Sequence, residues 1–167
     1  VLLAVSGGID SMTMLQLLHR IKDILDNEIG VATFNHGIRV ESKEEVNLVR
    51  EFAKDLGVAF YYGEGDALKK RKEMNRNLED VARELRLNFL NNVKEKENFN
   101  KIALAHNKND FAETFFMHLF KGSGLQGLTS MLSSKNGIIR PLIEITREEI
   151  QQYAKENKIP YVVDLTN

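Results

Sequence analysis

The stretch Val1-Leu-Leu-Ala-Val-Ser-Gly-Gly-Ile-Asp-Ser11 decides the fold of this chain. Its first five residues are apolar without interruption, which is typical of a strand buried on both faces of a parallel sheet. Gly7 and Gly8 then turn the chain, because glycine adopts left-handed backbone angles without a steric penalty. From Asp10 the apolar residues recur at helical spacing as far as Leu25. The sequence therefore predicts a strand, a glycine turn and a helix that Asn27 ends.

This junction predicts an anion-binding site. The free N–H groups of the first helical turn face the glycine turn, and the helix dipole adds a partial positive charge. No lysine follows the glycines, so the segment does not fit the usual phosphate-loop pattern. An ordinary strand-to-helix turn would explain the two glycines but not the serines and the aspartate around them. The predicted phosphate-binding residues are Ser6, Gly7, Gly8, Ile9, Asp10 and Ser11.

Composition limits the class of protein. The chain has 167 residues, 43% of them apolar, which fits one domain with one core. Its formal net charge of −1 neither indicates nor excludes nucleic acid as a partner. The absence of cysteine excludes a disulfide framework and a cysteine nucleophile within these residues. No apolar run approaches the ~20 residues of a membrane helix.

From the same features we expect a cytoplasmic protein with no membrane partner. No signal-peptide pattern precedes the first strand. The chain begins inside a strand and stops after a polar segment, so we expect 1–167 to be one domain of a longer protein. The oligomeric state is left open, and a homodimer is compatible with the sequence.

Strands alternate with helices along the whole chain. This order predicts a doubly wound α/β fold, a parallel five-stranded sheet with helices on both faces. The strands are expected at 1–5, 29–34, 58–62, 101–105 and 138–142. Right-handed crossovers bring their carboxyl ends to one edge, where ligands bind near the reversal of strand order. Polar segments follow four of these strands at that edge, which predicts an enzyme.

His106, Asp110 and Glu113 lie three to four residues apart where the fourth strand gives way to a helix. Asp110 alone could be an N-cap with Glu113 as its partner, a role that contributes about 1 kcal/mol. That role leaves His106 unexplained. We favour a cluster that faces the phosphate-binding residues, holds Mg²⁺ and handles protons.

Other polar segments permit two interpretations each. The basic run 69–72 is either a solvated charged surface or a contact for RNA phosphates. Arg83 and Arg86 are either surface charges or ligands of an α-phosphate. Gly122-Ser-Gly-Leu-Gln-Gly127 matches the dinucleotide fingerprint but follows a helix instead of a strand, so we interpret it as a flexible loop at the catalytic edge.

Ser-Gly-Gly-Ile-Asp-Ser resembles the signature of the PP-loop, or N-type, ATP pyrophosphatases, which split ATP between its α- and β-phosphates. Six further segments, in this order, resemble the N-terminal domain of the tRNA(Ile)-lysidine synthetase family. They are 35–39 (NHGIR), 82–90 (ARELRLNFL), 105–114 (AHNKNDFAET), 121–128 (KGSGLQGL), 140–142 (RPL) and 164–167 (DLTN). Leu87 and Lys121 depart from the tyrosine and arginine expected in that family.

The resemblance implies that residues 1–167 are the PP-loop catalytic domain of a ligase that uses ATP and Mg²⁺, without its tRNA-binding part. It would adenylate the wobble cytidine of an isoleucine tRNA with a CAU anticodon, and free L-lysine would then displace AMP to give lysidine. The implied roles are metal binding by Asp10 and Asp110, adenine binding by Phe34, Asn35 and His36, and catalysis by Asp10, Arg83, His106, Asp110 and Glu113. Two alternatives remain: a PP-loop tRNA thiolase, which typically carries cysteines, and a non-catalytic nucleotide-binding domain.

Overall fold

The computed structural model describes residues 1–37, 42–120, 122 and 134–163. The described helices are α1 Ile9–Ile21, α2 Ser42–Asp55, α3 Ala67–Met74, α4 Leu78–Lys96, α5 Lys108–Phe120 and α6 Arg147–Glu156. The described strands are β1 Leu2–Ala4, β2 Gly30–Asn35, β3 Ala59–Glu64, β4 Ile102–Ala103, β5 Ser134–Lys135 and β6 Ile138–Ile139. Ile38 and Arg39, the glycine-rich loop apart from Gly122, and the segment 164–167 lie outside the described residues.

The strands form one sheet in the order β3-β2-β1-β4-β6-β5. The first five strands in that order pair in parallel, so the predicted five-stranded parallel sheet is confirmed. The two-residue β5 adds an antiparallel edge beside β6, which the sequence did not predict. The order reverses at β1, whose neighbours are β2 on one side and β4 on the other. The carboxyl end of β1 is therefore where a ligand site is expected.

Two apolar cores cover the two faces of the sheet. Neighbouring side chains of a strand point to opposite faces, and Leu3 and Leu2 accordingly belong to different cores. Leu3 packs with residues of α1, α2 and α6, whereas Leu2 packs with Leu90 of α4. Both leucines are completely buried. This arrangement explains why 1–5 is apolar at every position.

Helix α1 is shorter than the sequence predicts. It ends at Ile21 instead of reaching Asn27, and a turn follows in which Asp26 has a φ of 48°. The side chains of Ile24 and Leu25 are 81% and 52% exposed. Because neither is buried in a core, no packing energy favours extension of the helix to include them.

The basic run 69–72 lies on α3, which Asp66 begins by accepting a hydrogen bond from the Lys69 N–H at 2.8 Å. All four basic side chains are exposed. Exposure fits both a solvated surface and a contact for RNA, so the two interpretations stay open. Within the described part of the chain, no helix is long and apolar enough to cross a membrane.

Candidate active site

The turn after β1 is closed by one serine. The Ser11 hydroxyl accepts a hydrogen bond from the Ser6 N–H at 3.1 Å and donates to the Gly8 carbonyl at 2.9 Å. Gly7 has a φ of 94°, in the region that favours glycine. Gly8 is the N-cap of α1 and has no side chain to occupy the N–H groups of the first turn. Those groups stay available to an anion.

The same turn is held from outside by two other segments. A Cβ atom at Gly7 would lie 3.4 Å from the Glu45 Cβ on α2. On the other side, the Val162 N–H donates to the Gly7 carbonyl at 3.0 Å. The chain that follows α6 therefore crosses beside the phosphate-binding turn, a contact that no pattern in the sequence predicts.

A cavity of about 490 Å³ opens beside this turn, at the carboxyl ends of β1, β2 and β4. Eight predicted site residues line it: Ser6, Gly8, Asp10, Ser11, Phe34, Asn35, His36 and His106. The predicted residues that do not line it are Gly7, Ile9, Arg83, Asp110 and Glu113. The cavity thus brings together side chains from three separate strand ends.

One side of the cavity is aromatic. The Phe34 ring lies 5.1 Å from the His36 ring and 5.5 Å from the Phe89 ring, measured between centroids. The Gly37 N–H donates to Asn35 Oδ1 at 2.9 Å, which orients the Asn35 side chain. Burial and the charge of Arg86 lower the pKa of His36, so its ring is neutral at neutral pH. This side offers flat apolar surfaces suited to a base.

Two carboxylates, those of Asp10 and Asp110, interact at the site. Burial raises the pKa of Asp10, with Arg147 and Asn107 lowering it and the carboxylate of Asp110 raising it. Among the described residues, neither Asp10 Oδ1 nor Asn107 Nδ2 has a partner at ordinary hydrogen-bond geometry, although both atoms are buried. The Asn107 side chain lies near enough to act on Asp10 as a hydrogen-bond donor. A buried carboxylate that lies close to a second carboxylate is suited to a cation.

These two carboxylates do not by themselves complete a metal site. The described ranges contain no group of three or more His, Asp and Glu residues placed to hold one ion. Mg²⁺ is commonly bound by one or two carboxylates, with waters and substrate phosphates as the other ligands. Asp10 and Asp110 therefore fit Mg²⁺ bound together with a nucleotide.

The predicted cap of α5 is wrong by one turn. Helix α5 begins at Lys108, so Asn107 is the N-cap, where the sequence predicted Asp110. Asn107 Oδ1 accepts from the Asp110 N–H at 2.9 Å, and Asp110 Oδ2 accepts from the Asn107 N–H at 3.0 Å. Glu113 has no part in this reciprocal cap and is exposed. Asn107 is the N-cap because it directly precedes the first turn of α5, and its side chain can accept a hydrogen bond from the backbone N–H of the third helical residue, Asp110.

Two arginines belong to the site: Arg86 lines the cavity, and Arg140 contacts the lining residue His106. Arg86, which we weighed against Arg83, lines the cavity, whereas the side chain of Arg83 is exposed. Arg86 Nε is buried without a hydrogen-bond partner among the described residues. Burial, then the charge of Arg83, lower the pKa of Arg86. His106 lines the same cavity, and Arg140 contacts His106.

Arg140 follows β6 and is only 7% exposed. Its Nε–H donates to His106 Nδ1 at 3.1 Å. Burial, followed by the charge of Arg140, lowers the pKa of His106 to about 4. Two features of the sequence pointed to Arg140: its place in the predicted strand 138–142, which ends at the same sheet edge as His106, and its place in the segment 140–142 of the family resemblance. It could have been found by applying the strand-end argument to β6.

Residues 1–167 match the family model of the PP-loop domain over their full length. The chain belongs to the PP-loop domain family. The resemblance of Ser6–Ser11 to the PP-loop signature is thereby confirmed, and a PP-loop ATP pyrophosphatase domain implies ATP binding. The structural features of the turn agree with this, because its N–H groups are available to phosphates.

Curated relatives of this PP-loop domain are named tRNA(Ile)-lysidine synthase. The protein from Thermosipho africanus is 47% identical over 167 residues, which are all of this chain and 39% of that protein. The protein from Thermotoga maritima is 40% identical over 167 residues, which are 40% of its length. The chain thus spans about two fifths of the length of the curated relatives that it matches.

Solved structures of low identity share the fold. A U34-tRNA thiolase from Methanococcus maripaludis superposes with a TM-score of 0.80 at 22% identity, covering 96% of this chain and 58% of that one. An NH3-dependent NAD synthetase from Campylobacter jejuni gives 0.63 at 18% identity, covering 95% and 63%. The thiolase structure holds a [4Fe–4S] cluster. Cysteine thiolates bind such clusters, and these 167 residues contain no cysteine.

Proposed function

We propose that this PP-loop domain catalyses the ATP-dependent step of lysidine formation on an isoleucine tRNA. One observation carries the proposal: a single cavity joins the PP-loop turn at Ser6–Ser11 to His106, with Asp110 close enough to raise the pKa of Asp10. A nucleotide-binding domain that does not turn over ATP would not need His106 and Asp110 beside the PP-loop turn. The names of the relatives support the choice of reaction.

In the first step, the ring carbonyl oxygen of the wobble cytidine attacks the α-phosphorus of ATP. The bond from that phosphorus to the β-phosphate bridging oxygen breaks, and pyrophosphate leaves. The N–H groups of the α1 first turn are oriented toward anionic oxygens before the reaction, so they stabilise the developing charge without reorganisation. Asp10 and Asp110 would hold Mg²⁺, which when bound supplies charge neutralisation of the phosphates.

The remaining site residues bind different parts of the nucleotide. Phe34, Asn35 and His36 form the side suited to adenine, since the Phe34 ring is held between His36 and Phe89. Arg86 lies within the cavity with a buried Nε–H that has no partner among the described residues, so we assign it to the α-phosphate. Arg83 is exposed, and we place it at the mouth of the site, where it adds positive charge.

In the second step, the side-chain amine of free L-lysine attacks the activated carbon, the carbon–oxygen bond breaks, and AMP leaves. The amine is protonated at neutral pH, with a reference pKa of ~10.4, and must lose a proton to attack. Asp110 and Glu113 supply carboxylates on one helix that can hold the ammonium and accept that proton. The partners are then an isoleucine tRNA with a CAU anticodon, ATP and L-lysine.

The test is release of pyrophosphate from ATP in the presence of tRNA(Ile) and lysine. We expect release that depends on both co-substrates and is abolished by Asp10→Ala. Release that continues unchanged in Asp10→Ala would overturn the assignment of the PP-loop turn. ATP binding with no turnover under any combination of co-substrates would instead indicate a non-catalytic nucleotide-binding domain.

A further inference from the structure

The contact between Arg140 and His106 determines where the imidazole carries its proton. The Arg140 guanidinium has only donors, and its Nε–H points at His106 Nδ1 over 3.1 Å. A nitrogen that accepts a hydrogen bond has no proton of its own. In a neutral ring the proton must then be on Nε2, and that nitrogen must be a donor.

We infer that Arg140 is a positioning residue that fixes His106 as the Nε2–H tautomer, so that His106 donates a hydrogen bond to a phosphoryl oxygen in the cavity. This inference rests on the proposed function for the identity of the acceptor. It reverses the role that the sequence predicted for this histidine. From the sequence we expected His106 to help remove a proton, whereas a neutral ring with its proton on Nε2 supplies a hydrogen-bond donor.

The burial of His106 and the charged groups around it also favour the neutral ring. Three cationic groups influence the ring, Arg140 next to it and Arg86 and Arg83 on α4, while Asp110 on α5 opposes them. Together with burial, which is the largest cause, they lower the pKa of His106 to about 4. An imidazolium would add one more positive charge beside the guanidinium that contacts it. The ring therefore stays neutral across the physiological range.

The acceptor is inferred from what shares the cavity. His106 and Arg86 line the same space as Ser6 and the N-terminal turn of α1. Donors thus approach this space from more than one strand end, and a phosphoryl oxygen is an acceptor that several donors can share. A donor that carries no charge adds a hydrogen bond without adding to the repulsion among the arginines.

Nitrogen NMR of the ring tests the tautomer without any turnover. The chain has four histidines, so a protein labelled with ¹⁵N-histidine gives a spectrum that can be assigned, with His106→Gln identifying the signals of interest. We expect His106 in the ligand-free protein to show an unprotonated Nδ1 and a protonated Nε2, unchanged between pH 5.5 and 8. A protonated Nδ1, or a ring that titrates within this range, would overturn the inference.

Two variants separate the hydrogen bond from the charge. Arg140→Met removes the donor, and we expect the ring to exchange between its two tautomers. Arg83→Met removes one of the nearby charges but not the donor to Nδ1, and we expect the Nε2–H form to persist. A wild-type tautomer retained in Arg140→Met would contradict the inference. Should Arg140→Met fail to fold, Arg140→Lys is the second variant: its ammonium is also a donor without a lone pair, so we expect the Nε2–H form to persist, and a protonated Nδ1 there would contradict the inference.

Addition of AMP tests the acceptor. We expect the Nε2 proton signal of His106 to shift on AMP binding and to stay in place when adenosine, which has no phosphate, is added. An equal response to both would overturn the phosphoryl assignment and leave the tautomer result standing. Failure of AMP and ATP to bind at all would contradict the proposed function, a result that the ligand-free spectrum does not depend on.

Discussion

Asn107 and Asp110 cap each other across the first turn of α5. Asn107 accepts from the Asp110 N–H at 2.9 Å, while Asp110 returns the hydrogen bond to the Asn107 N–H at 3.0 Å. Asn107 is completely buried. The carboxylate of Asp110 is thus held by the helix it begins, and its charge acts on Asp10 of the neighbouring helix. A structural role and a chemical role coincide in one side chain.

Substitution of Asp110 separates these two roles. Asp110→Asn keeps an oxygen that can accept from the Asn107 N–H, whereas Asp110→Ala removes it. We expect the alanine variant to lose about 1 kcal/mol of unfolding free energy, and the asparagine variant to lose little. Both should transfer lysine about 100-fold more slowly, because both lack the carboxylate. Urea unfolding and single-turnover lysine transfer measure the two effects.

The matched variant is Glu113→Gln, because Glu113 lies outside the reciprocal cap formed by Asn107 and Asp110. We expect it to slow lysine transfer more than it weakens ATP binding, with no change in stability. If Asp110→Asn transfers lysine at the parental rate, Asp110 is only part of a helix cap and the catalytic assignment fails.

Asp10 should be destabilising at neutral pH. Its pKa in the folded protein is raised above the ordinary value of 3.8, mainly by burial. The unfolded chain therefore releases this proton at lower pH than the native protein does, so stability falls as pH rises through that interval and stays lower above it. We expect Asp10→Asn to raise Tm at pH 7 while it abolishes pyrophosphate release.

The control for Asp10→Asn is Asp23→Asn, on the exposed turn after α1, which should leave Tm unchanged. The gain of the Asp10 variant should also disappear near pH 3, where the carboxyl is protonated in both states. A lower Tm for Asp10→Asn at pH 7 would show that the carboxylate is stabilised in the fold by interactions that outweigh its burial.

His106 should make the protein sensitive to mild acid. The pKa is lowered from 6.5 to about 4, so between these values the unfolded chain binds a proton that the native protein excludes. Stability is then retained above pH 6.5 and lost as pH falls toward 4, by about 3 kcal/mol. Urea unfolding at pH 7 and pH 4.5 measures the loss.

His106→Gln should remove most of this dependence, since glutamine does not titrate. His19 lies in the last turn of α1, at the far end of that helix from the cavity, and His19→Gln serves as the matched variant. An identical acid response of the His106 variant and the parent would mean that other groups account for the loss.

Gly63 determines the position of the aromatic side of the cavity. It pairs with Phe34 across β2 and β3, and a Cβ atom there would lie 2.5 Å from Phe89 Cδ2. Gly63→Ala must displace Phe89 and, through it, Phe34, so we expect weaker ATP binding and a loss of about 1–3 kcal/mol from overpacking. Calorimetric titration with ATP and urea unfolding measure these changes.

A second substitution checks that cause. In the background of Gly63→Ala, Phe89→Leu provides space for the new methyl group, and the double variant should regain part of the lost stability. If the losses of unfolding free energy of Gly63→Ala and Phe89→Leu simply add in the double variant, the alanine does not act through Phe89.

The sequence was sufficient for the parallel sheet and its alternating helices, although it misplaced the end of α1 and the cap of α5. An uninterrupted apolar run such as 1–5 is needed only where a strand has a core on each face, and the structure has one on each face of β1. The glycine turn and Asp10 lie where strand order reverses, so the general rule for α/β sheets located the cavity.

What the sequence could not provide are contacts between segments far apart in the chain. Arg140 reaches His106 across 34 positions, and Val162 meets Gly7 from the opposite end of the chain. Neither contact leaves a local pattern. The sequence could not decide between Arg83 and Arg86 for a related reason, because both lie on α4 and only the packing of that helix determines which one enters the cavity.

The central place of β1 in the sheet also has a dynamic consequence. Ligand-binding loops are usually drawn from the parts of a fold that open most easily. The PP-loop turn instead continues directly from a strand that is paired on both sides and whose Leu2 and Leu3 are completely buried. The hydrogen-bonded backbone amides of β1 should be among the slowest in the domain to exchange with solvent hydrogen, whereas the unpaired N–H groups at the start of α1 should exchange quickly until an anion binds them. Little conformational freedom then remains to be lost when a phosphate binds.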